Sequence, residues 1–547
     1  MSRFFLSSGA PFLLLLAIAA SLASCAHTPE WTPAAVEPPE SLDAATEAAK
    51  SALREEVAAT TSVTLPGIEV TIERHTVLRL TRDGAIVTAL ARNRSLIMER
   101  LSNKASALNI SDARAAFDPR LLATVSYGRT RNEARQEGVS AADGGDQSVS
   151  VSKDLRIDAS VSEYLPTGTE LFLSGGYTKD RTDASAPTYS GSWSAGFNQS
   201  LLRGFGVDAN LVSLRQARNS AARSEHEFRA FVLELIDGVE TAYWELVLAV
   251  ETLKIREFSV QLAADQLDLN RDLIAVGKLS ADAIISSEAE LASRKADLVD
   301  AKAAVRGKTI ELIRLLNPAF PSQWELSFEV LDPPQVEPIA LDADISSKLA
   351  DLYRPELAQS RLDLANQNLE VVSTRNGLLP KLDAFASYGR ISSGETRSDA
   401  GRHLDDTMYD YYKVGLSLDV SPINRSERAS HRRAKFEQAR AELAVENLGR
   451  AIEAEVRLAV VEAEKQWERI AATKLAVESR QEELRVETSR FKVGKSTNLD
   501  VAQVHKDLIA AQLDELTARI RYIEAITSLY LAEGTLLTRR GMGAALD

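Results

Sequence analysis

The feature that most constrains this chain is one very long stretch without helix-breaking residues. Residues 208–276 contain no proline and a single glycine, Gly238. As one helix the stretch would measure about 100 Å at ~1.5 Å per residue, whereas globular helices average ~10–14 residues. Apolar residues recur in it every seven positions, in the series Leu246, Leu253, Val260, Leu267, Ile274 and in the series Leu248, Ile255, Leu262, Leu269, Val276. A heptad pattern of this length predicts a left-handed coiled coil.

A helical partner for this long helix is predicted directly after it. The segment Gly277-Lys278-Leu279 has the composition of a turn, and a second helical pattern covers residues 281–316. Because the turn is short, the second helix must pack back on the first as a helical hairpin.

The second half of the chain follows the same plan. Helix is predicted over residues 344–376, with an interruption before Pro355, and over residues 424–493. After a turn at Gly494, a last helix is predicted over residues 498–537. The second long helix would also approach about 100 Å, so each half is predicted to carry one long hairpin.

The two halves match as an internal repeat. At a shift of 217 residues (494 − 277), Gly277 and Lys278 align with Gly494 and Lys495. The same shift aligns the first heptad series with Ala463, Ile470, Val477, Leu484 and Phe491. A repeat of this length predicts two copies of one supersecondary plan.

Each half also contains predicted β-strands. They cover residues 121–131, 148–163, 170–178, 191–201, 382–390 and 411–420. Polar residues alternate along the second strand with the apolar residues Leu155, Ile157, Ala159 and Val161. Pro166-Thr167-Gly168 predicts a tight turn between two long polar loops. This asymmetry is typical of outer-membrane barrels, although a soluble hairpin protein can show the same pattern.

The N-terminus has the features of an export signal. In residues 1–24, Arg3 precedes an apolar run at residues 12–18 that is too short to span a bilayer. Cys25, the single cysteine, ends the sequence Leu22-Ala23-Ser24-Cys25, which resembles a lipobox. We therefore predict cleavage before Cys25 and its acylation, and Ala26 favours sorting to the outer membrane. An ordinary signal with an incidental cysteine is the alternative.

These patterns divide the chain into six predicted segments. They are a signal peptide (1–24), a tether (25–84), a first repeat (85–318), a linker (319–343), a second repeat (344–538) and a C-terminal tail (539–547). The predicted fold class is an α+β membrane protein with long coiled-coil hairpins and a β-barrel. Because neither half has enough strands to close a barrel, and open edges are unstable in lipid, the strands must close with those of other copies.

Charge and motifs exclude several function classes. The formal net charge of −14 argues against a nucleic-acid partner. The six histidines lack the spacing of metal ligands, and no P-loop, dinucleotide fingerprint or nucleophile elbow is present. We therefore expect no cofactor and no enzymatic activity, with a hidden hydrolase as the enzyme-class alternative.

Short motifs on this repeated frame resemble the TolC family of outer-membrane efflux proteins over nearly the whole mature chain. They are FDP at 117–119, QSLLRGFG at 199–206, AYWEL at 242–246, RPEL at 354–357, NGLLPKL at 376–382 and the two VGK turns. The resemblance implies a homotrimer with a shared barrel and a helical tunnel, localised to the outer membrane. It implies a periplasmic adaptor and an inner-membrane transporter as partners. Tyr243 and Trp244 are expected in core packing.

The resemblance also implies functional positions at the hairpin ends. It assigns adaptor contacts to Gly277, Lys278, Gly494 and Lys495, although helix C-caps with solvated lysines are the alternative. It assigns a pore gate to Asp500, Gln503 and Asp282, where an aspartate ring would bind cations. Asp500 could equally be favoured by the N-terminal helix dipole. The family's gate latch falls on Phe491 and Ser496, which cannot form the same bonds.

One departure from the family concerns the barrel. The family's best-known arrangement has four strands per protomer, whereas six are predicted here, with the hairpin at residues 148–178 as the addition. A trimer would then close 18 strands and not 12. The alternative function is a periplasmic coiled-coil structural lipoprotein without a pore. The sequence leaves open whether a drug, a metal ion or a polypeptide is carried.

Overall fold

The computed structural model describes residues 68–72, 76–134, 148–182, 186–276, 280, 282–317, 324, 326–396, 400 and 410–541. The described residues of one compact unit, here called the sheet unit, lie in Ala107–Ser220 and Leu364–Arg440. Those of the other, the hairpin unit, lie in Ala45–Ser106, Ala221–Asp363 and Ala441–Asp547.

Helices account for most of the structure. In chain order they are α1 (Arg82–Arg92), α2 (Arg94–Arg114), α3 (Val207–Asn210), α4 (Val212–Ala275), α5 (Asp282–Leu316), α6 (Ala343–Tyr353), α7 (Pro355–Gly377), α8 (Arg425–Lys492), α9 (Asn498–Ala532) and α10 (Leu536–Arg539). Within the described ranges, no helix has both the length and the hydropathy that a bilayer crossing requires. The long helices and the break before Pro355 confirm the predicted pattern.

The strands form two sheets. In chain order they are β1 (Ile68–Ile72), β2 (Thr76–Leu80), β3 (Arg120–Ala134), β4 (Ser148–Leu165), β5 (Thr169–Thr182), β6 (Thr188–Ser200), β7 (Ser327–Val330), β8 (Lys381–Gly394) and β9 (Asp410–Asp419). One sheet has the order β1-β2-β7 and the other β3-β4-β5-β6-β8-β9. All six strands predicted from the alternation lie in the second sheet, which confirms them.

The six-stranded sheet is antiparallel throughout. Its strands have 10 to 18 residues, and a tilted transmembrane strand needs about 9–11. Among the described residues β3 and β9 each have one neighbour only, so they are the two edges. Because the number of strands is even, the two edge strands run in opposite directions.

The two faces of this sheet differ in polarity from edge to edge. Directly opposed residues of neighbouring strands share a face. One row across all six strands is apolar and consists of Leu121, Val161, Leu173, Ala195, Tyr388 and Tyr412. A row on the other face consists of Ser126, Arg156, Thr178, Ser190 and Ser393. We call these the apolar face and the polar face of the sheet.

The turn between β4 and β5 is tied to the point where β6 passes into helix. Asn210 Nδ2 donates to the carbonyl oxygens of Pro166, Gly204 and Gly206 at 3.0, 2.8 and 3.1 Å. The Ser200 N–H donates to the carbonyl of Gly168, at 3.0 Å. The turn and the strand–helix junction therefore form one hydrogen-bonded structure.

Two of the motifs singled out in the sequence meet at the same junction. The Gly204 N–H donates to Asn376 Oδ1 at 2.8 Å, and the Leu201 N–H donates to the carbonyl of Leu382 at 2.7 Å. Gly204 has a φ of +84°, a conformation that favours glycine. The glycine-containing motif at residues 199–206 is thereby joined to the one at residues 376–382.

The hairpin unit is built around the predicted heptad seams. In α4, Leu246 and Leu267 are buried, and in α8 the seam buries Ala463, Ile470 and Val477. The largest core cluster combines residues of α1, α4, α5, α9 and α10. Tyr243 and Trp244 are buried in this cluster with their rings edge to face, which confirms the expected core packing.

The predicted tether and linker are not entirely irregular. Residues 25–84 were expected to form a tether, but β1 and β2 pair within it and α1 begins at Arg82. Residues 319–343 were expected to be irregular, but β7 pairs in parallel with β2. Neither short strand stands out by alternation, because each is defined by a partner far along the chain.

Two further expectations need correction. The single helix predicted over residues 85–116 is two helices, because Asn93 leaves helical geometry with ψ of 120° and its side chain accepts from the Leu96 N–H. The predicted tail at residues 539–547 begins inside the folded unit. Arg540 forms two hydrogen bonds of 2.6 Å with Glu240, whose side chain is fully buried.

Candidate functional site

The turn between α8 and α9 is a glycine-dependent helix end. Gly494 has a φ of +76°, and the Lys495 N–H donates back to the carbonyl of Arg490 at 2.9 Å. This is the hydrogen-bond pattern of a helix C-cap closed by a left-handed glycine. The Lys495 side chain is exposed. The geometry accounts for Gly494 structurally, and the contact of both residues with an adaptor stays a prediction.

Asp500 belongs to a capping box at the start of α9. Its Oδ2 accepts from the Thr497 N–H at 3.0 Å and from the Thr497 hydroxyl at 2.7 Å. The Asp500 N–H donates in return to the Thr497 hydroxyl oxygen at 3.2 Å. The Thr497 hydrogen bonds hold the pKa of the exposed Asp500 carboxyl below its usual value. The carboxylate is therefore charged and fixed in orientation at the helix start.

Gln503, one turn further along α9, is also exposed. Its side-chain amide donates to Asp507 Oδ1 at 2.8 Å. Asp282 is the first residue of α5, and its side chain lies outside the described part of the structure. Cys25, Gly277 and Lys278 lie outside the described residues altogether. The roles predicted for these five positions stay predictions.

Close to the capping box, α9 is joined to the first hairpin by a buried polar cluster. Asn498 Oδ1 accepts from Asn270 at 2.8 Å and from Gln266 at 3.3 Å. Asn498 Nδ2 donates to the hydroxyls of Ser287 and Ser286 at 3.0 and 3.3 Å. Asn270 is fully buried. One amide side chain thus connects three helices, α4, α5 and α9.

A small cavity adjoins this cluster. It is lined by Ser259, Ala263, Gln266, Ser287, Glu290, Arg294, Asn498, Ala502 and His505. Arg294 is almost fully buried, and its Nε donates to Glu290 Oε1 at 2.7 Å. Burial and the positive charge of Arg294 lower the pKa of His505 to about 4, against the opposing effect of Glu290. His505 is therefore neutral at pH 7.

Sequence reasoning missed this polar cluster. Its signal is Asn270, which lies seven residues after the buried Ala263 in a heptad helix. An asparagine at a buried coiled-coil position sets register at a cost in stability. The residues that satisfy it here lie on two other helices, so local pattern alone could not identify them.

A second buried polar group lies in the core of the hairpin unit. Glu240 accepts from Arg540 and, at 2.9 Å, from the Thr527 hydroxyl. Burial and the neighbouring carboxylates, Glu240 foremost, raise the pKa of Asp237 to about 6. Across the described residues, no group of three or more histidine, cysteine, aspartate or glutamate side chains has the arrangement of a metal site.

The fold places the chain in the class of outer-membrane channels. A solved structure of CusC superimposes with a TM-score of 0.62 at 15% identity, over 83% of this chain and 92% of that one. The Campylobacter jejuni CmeC outer membrane channel superimposes with the same TM-score at 16% identity, over 83% and 86% of the two chains. At these identities the likeness concerns the fold alone.

A profile of the Outer membrane efflux protein family matches residues 85–318 and 347–535, so the chain belongs to that family. Outer membrane protein TolC of Vibrio cholerae is 25% identical over 398 residues, 71% of this chain and 87% of that protein. Pyoverdine export outer membrane protein OpmQ of Pseudomonas aeruginosa is 26% identical over 375 residues, 67% and 74% of the two chains. The protein is thus an outer-membrane efflux or secretion channel, and the pore-free structural lipoprotein is not supported.

Proposed function

We propose that the protein is the passive exit duct of a tripartite system, formed by a homotrimer whose copies share one β-barrel. The observation that carries this proposal is the six-stranded sheet with one apolar face, one polar face and two open edges. In lipid, unpaired edge N–H and C=O groups cost several kcal/mol each. Pairing of β9 in one copy with β3 in the next satisfies both edges and leaves the polar face lining a lumen.

The two halves are proposed to be structural repeats. At the shift of 217 residues (494 − 277), α4 corresponds to residues 429–492, and α8 is Arg425–Lys492. The same shift carries α5 to residues 499–533, and α9 is Asn498–Ala532. The similar helix bounds support a repeated hairpin, with the strands as the part in which the halves differ.

The hairpin ends are proposed to carry the gate and the adaptor contact. Asp500 supports a gate role because its carboxylate is charged, exposed and held by Thr497. In a threefold ring such carboxylates attract cations, and Gln503 and Asp282 extend the ring. The exposed turn at Gly494 and Lys495, and its counterpart at Gly277, offer the adaptor a surface beyond the helices.

The anchor and the partners follow from the same proposal. Acylation of Cys25 would hold the N-terminus in the outer membrane, and an inner-membrane transporter with its adaptor would supply the cargo. Relatives are named for pyoverdine export, OpmQ, and for protease secretion, PrtF of Dickeya chrysanthemi. Both a small molecule and a polypeptide are therefore consistent cargoes, and the neighbouring genes would identify the transporter.

The test is reconstitution of the full-length protein in planar lipid bilayers. We expect a heat-modifiable trimer on gels and stepwise ion conductance. A monomer that stays in solution after removal of the anchor and conducts no ions would overturn the proposal.

A matched pair of variants tests the assignment of the sheet faces. Leu416 lies on the apolar face of β9 and Ser417 on the polar face. An arginine on a lipid-facing strand position costs up to about 2–4 kcal/mol, so Leu416→Arg should reduce the amount of trimer in the outer membrane. Ser417→Arg should assemble normally and change ion selectivity. Equal assembly of the two variants would contradict the assignment.

A further inference from the structure

The hairpin β4–β5 has the properties of barrel wall and not of a surface loop. Its apolar residues Leu155, Ile157 and Val161 fall on the same face of the sheet as Leu121 on β3 and Tyr388 on β8. An excursion into solvent, or a plug inside a lumen, would have no reason to continue the apolar face in register. The alternation therefore extends without interruption through the added hairpin.

The hairpin also begins and ends at the level of the other strands. Its turn is held by Asn210 at the junction where β6 passes into α3. At Gly168, φ is +86° and an added Cβ would lie 2.1 Å from the Gly204 carbonyl oxygen. This close approach fixes the turn against the junction. With 18 and 14 residues, β4 and β5 are as long as the strands beside them.

The two edges of the sheet are suited to one another. On β3 the exposed apolar side chains include Leu121, 74% exposed, and Val125, and on β9 they include Tyr412, 82% exposed, and Leu416. All four lie on the apolar face. Because the edge strands are antiparallel, β9 of one copy can continue into β3 of a second copy in the pattern used throughout the sheet.

We propose that each copy contributes all six strands to the wall, so that three copies close an 18-stranded barrel whose edges pair β9 with the next copy's β3. This proposal rests on the trimer of the proposed function and adds the strand number. Barrel diameter grows roughly linearly with strand number, so the lumen is about 1.5 times as wide as that of a 12-stranded barrel. The barrel therefore admits bulkier solutes than a 12-stranded one.

The direct test is electron cryo-microscopy of the purified, detergent-solubilised trimer. Eighteen strands in cross-section support the proposal. A trimer with twelve wall strands, and with β4–β5 folded outside the wall or into the lumen, overturns it while leaving the channel function intact. Absence of any trimer would instead count against the proposed function.

A functional test compares the whole protein with a variant lacking residues 148–182, in which β3 and β6 remain antiparallel neighbours. Polyethylene glycols of increasing size are added to the extracellular side in planar bilayers, and the largest size that lowers conductance is recorded. We expect the cutoff radius to be about 1.5 times larger for the whole protein. A control shortened within residues 135–147 should keep the wide cutoff. Equal cutoffs for the whole protein and the hairpin deletion would reject the wider wall.

Discussion

The sheet unit and the hairpin unit differ in where their apolar side chains lie. In the hairpin unit, Leu246, Ile236 and Tyr243 are fully or almost fully buried inside a single copy. In the sheet unit, Leu121 and Tyr412 are among many exposed apolar residues. Large exposed apolar surfaces mark contact with a membrane or another protein. The hairpin unit thus completes a core within one copy, whereas the sheet unit needs lipid and neighbouring strands.

The two units also use hydrogen bonds differently. The sheet unit satisfies polar groups through strand ladders and the Asn210 contacts at the turn. The hairpin unit buries side-chain pairs such as Glu240 with Arg540 and Asn270 with Asn498. Loss of one partner is costly in the second case, because the remaining group stays buried without a partner.

The largest effect is expected at Glu240. Glu240→Ala leaves the largely buried Arg540 without its carboxylate, and breaking such a pair costs about 3–5 kcal/mol. Thermal unfolding followed by the helical circular dichroism signal measures the loss. Glu453→Ala is the control, because Glu453 and its partner Arg457 are solvent exposed, and it should have no measurable effect. Equal unfolding temperatures for both variants would contradict a core completed by the Glu240 pair.

A pair of leucines tests the contrast between the units most directly. Leu246→Ala opens a cavity in the buried core and should cost about 2–5 kcal/mol. Leu121→Ala removes a side chain that is 74% exposed and should change the stability of the detergent-solubilised trimer by less than about 0.5 kcal/mol. Denaturant unfolding of both variants gives the comparison. Similar losses would mean that Leu121 is packed in the assembly against something more than detergent.

The turn of the added hairpin offers a pair of glycines that separates strain from crowding. Both Gly168 and Gly206 have positive φ, but an added Cβ meets nothing within 4 Å at Gly206. Gly206→Ala should cost about 1–2 kcal/mol for the backbone conformation alone. Gly168→Ala should cost clearly more, because it also displaces the Gly204 carbonyl. The yield and unfolding temperature of the trimer measure the difference, and equal values would show that the turn is free to move.

The polar cluster at the hairpin end should have an intermediate effect. Asn498→Ala leaves the buried Asn270 amide with fewer partners, which should cost about 1–2 kcal/mol. Hydrogen exchange in α5 near Ser287 should become faster. Gln503→Ala, in the same helix but exposed, is the control and should leave the exchange unchanged. Unaltered exchange in Asn498→Ala would mean that the cluster does not hold the helices together.

The smallest effect concerns acid. The pKa of His505 is lowered from 6.5 to about 4 in the folded protein, so the unfolded chain binds more protons between these values. The contribution of His505 to stability is therefore present above pH 6.5 and lost as the pH falls towards 4. Stability of His505→Gln should decrease less than that of the unaltered protein when the pH is lowered from about 7 to about 4.5. An identical decrease would contradict the buried environment of His505.

Local patterns predicted much of the fold because they report on geometry within one element. The seven-residue spacing from Ala463 to Val477 identified the buried seam of α8, and the alternation from Leu155 to Val161 identified β4. Elements defined by distant partners were missed. The short strand β7 lies in a segment with no alternation of its own, and Arg540 lies 300 residues from Glu240.

The functional positions divide in the same way. A glycine-dependent turn was predicted at Gly494, and its positive φ agrees. The joining of Asn498 to Asn270 was not predicted, because an asparagine has the same appearance in a sequence whether it is exposed or satisfied by another helix.

The sequence by itself determined the periodicities, seven along the hairpins and two along the strands, because these depend on residues close together in the chain. Only the tertiary structure decided the strand order, the single apolar face shared by all six strands, and the two edges left open. Those features depend on register between segments far apart in the chain, where a slip of one residue would move every side chain to the opposite face.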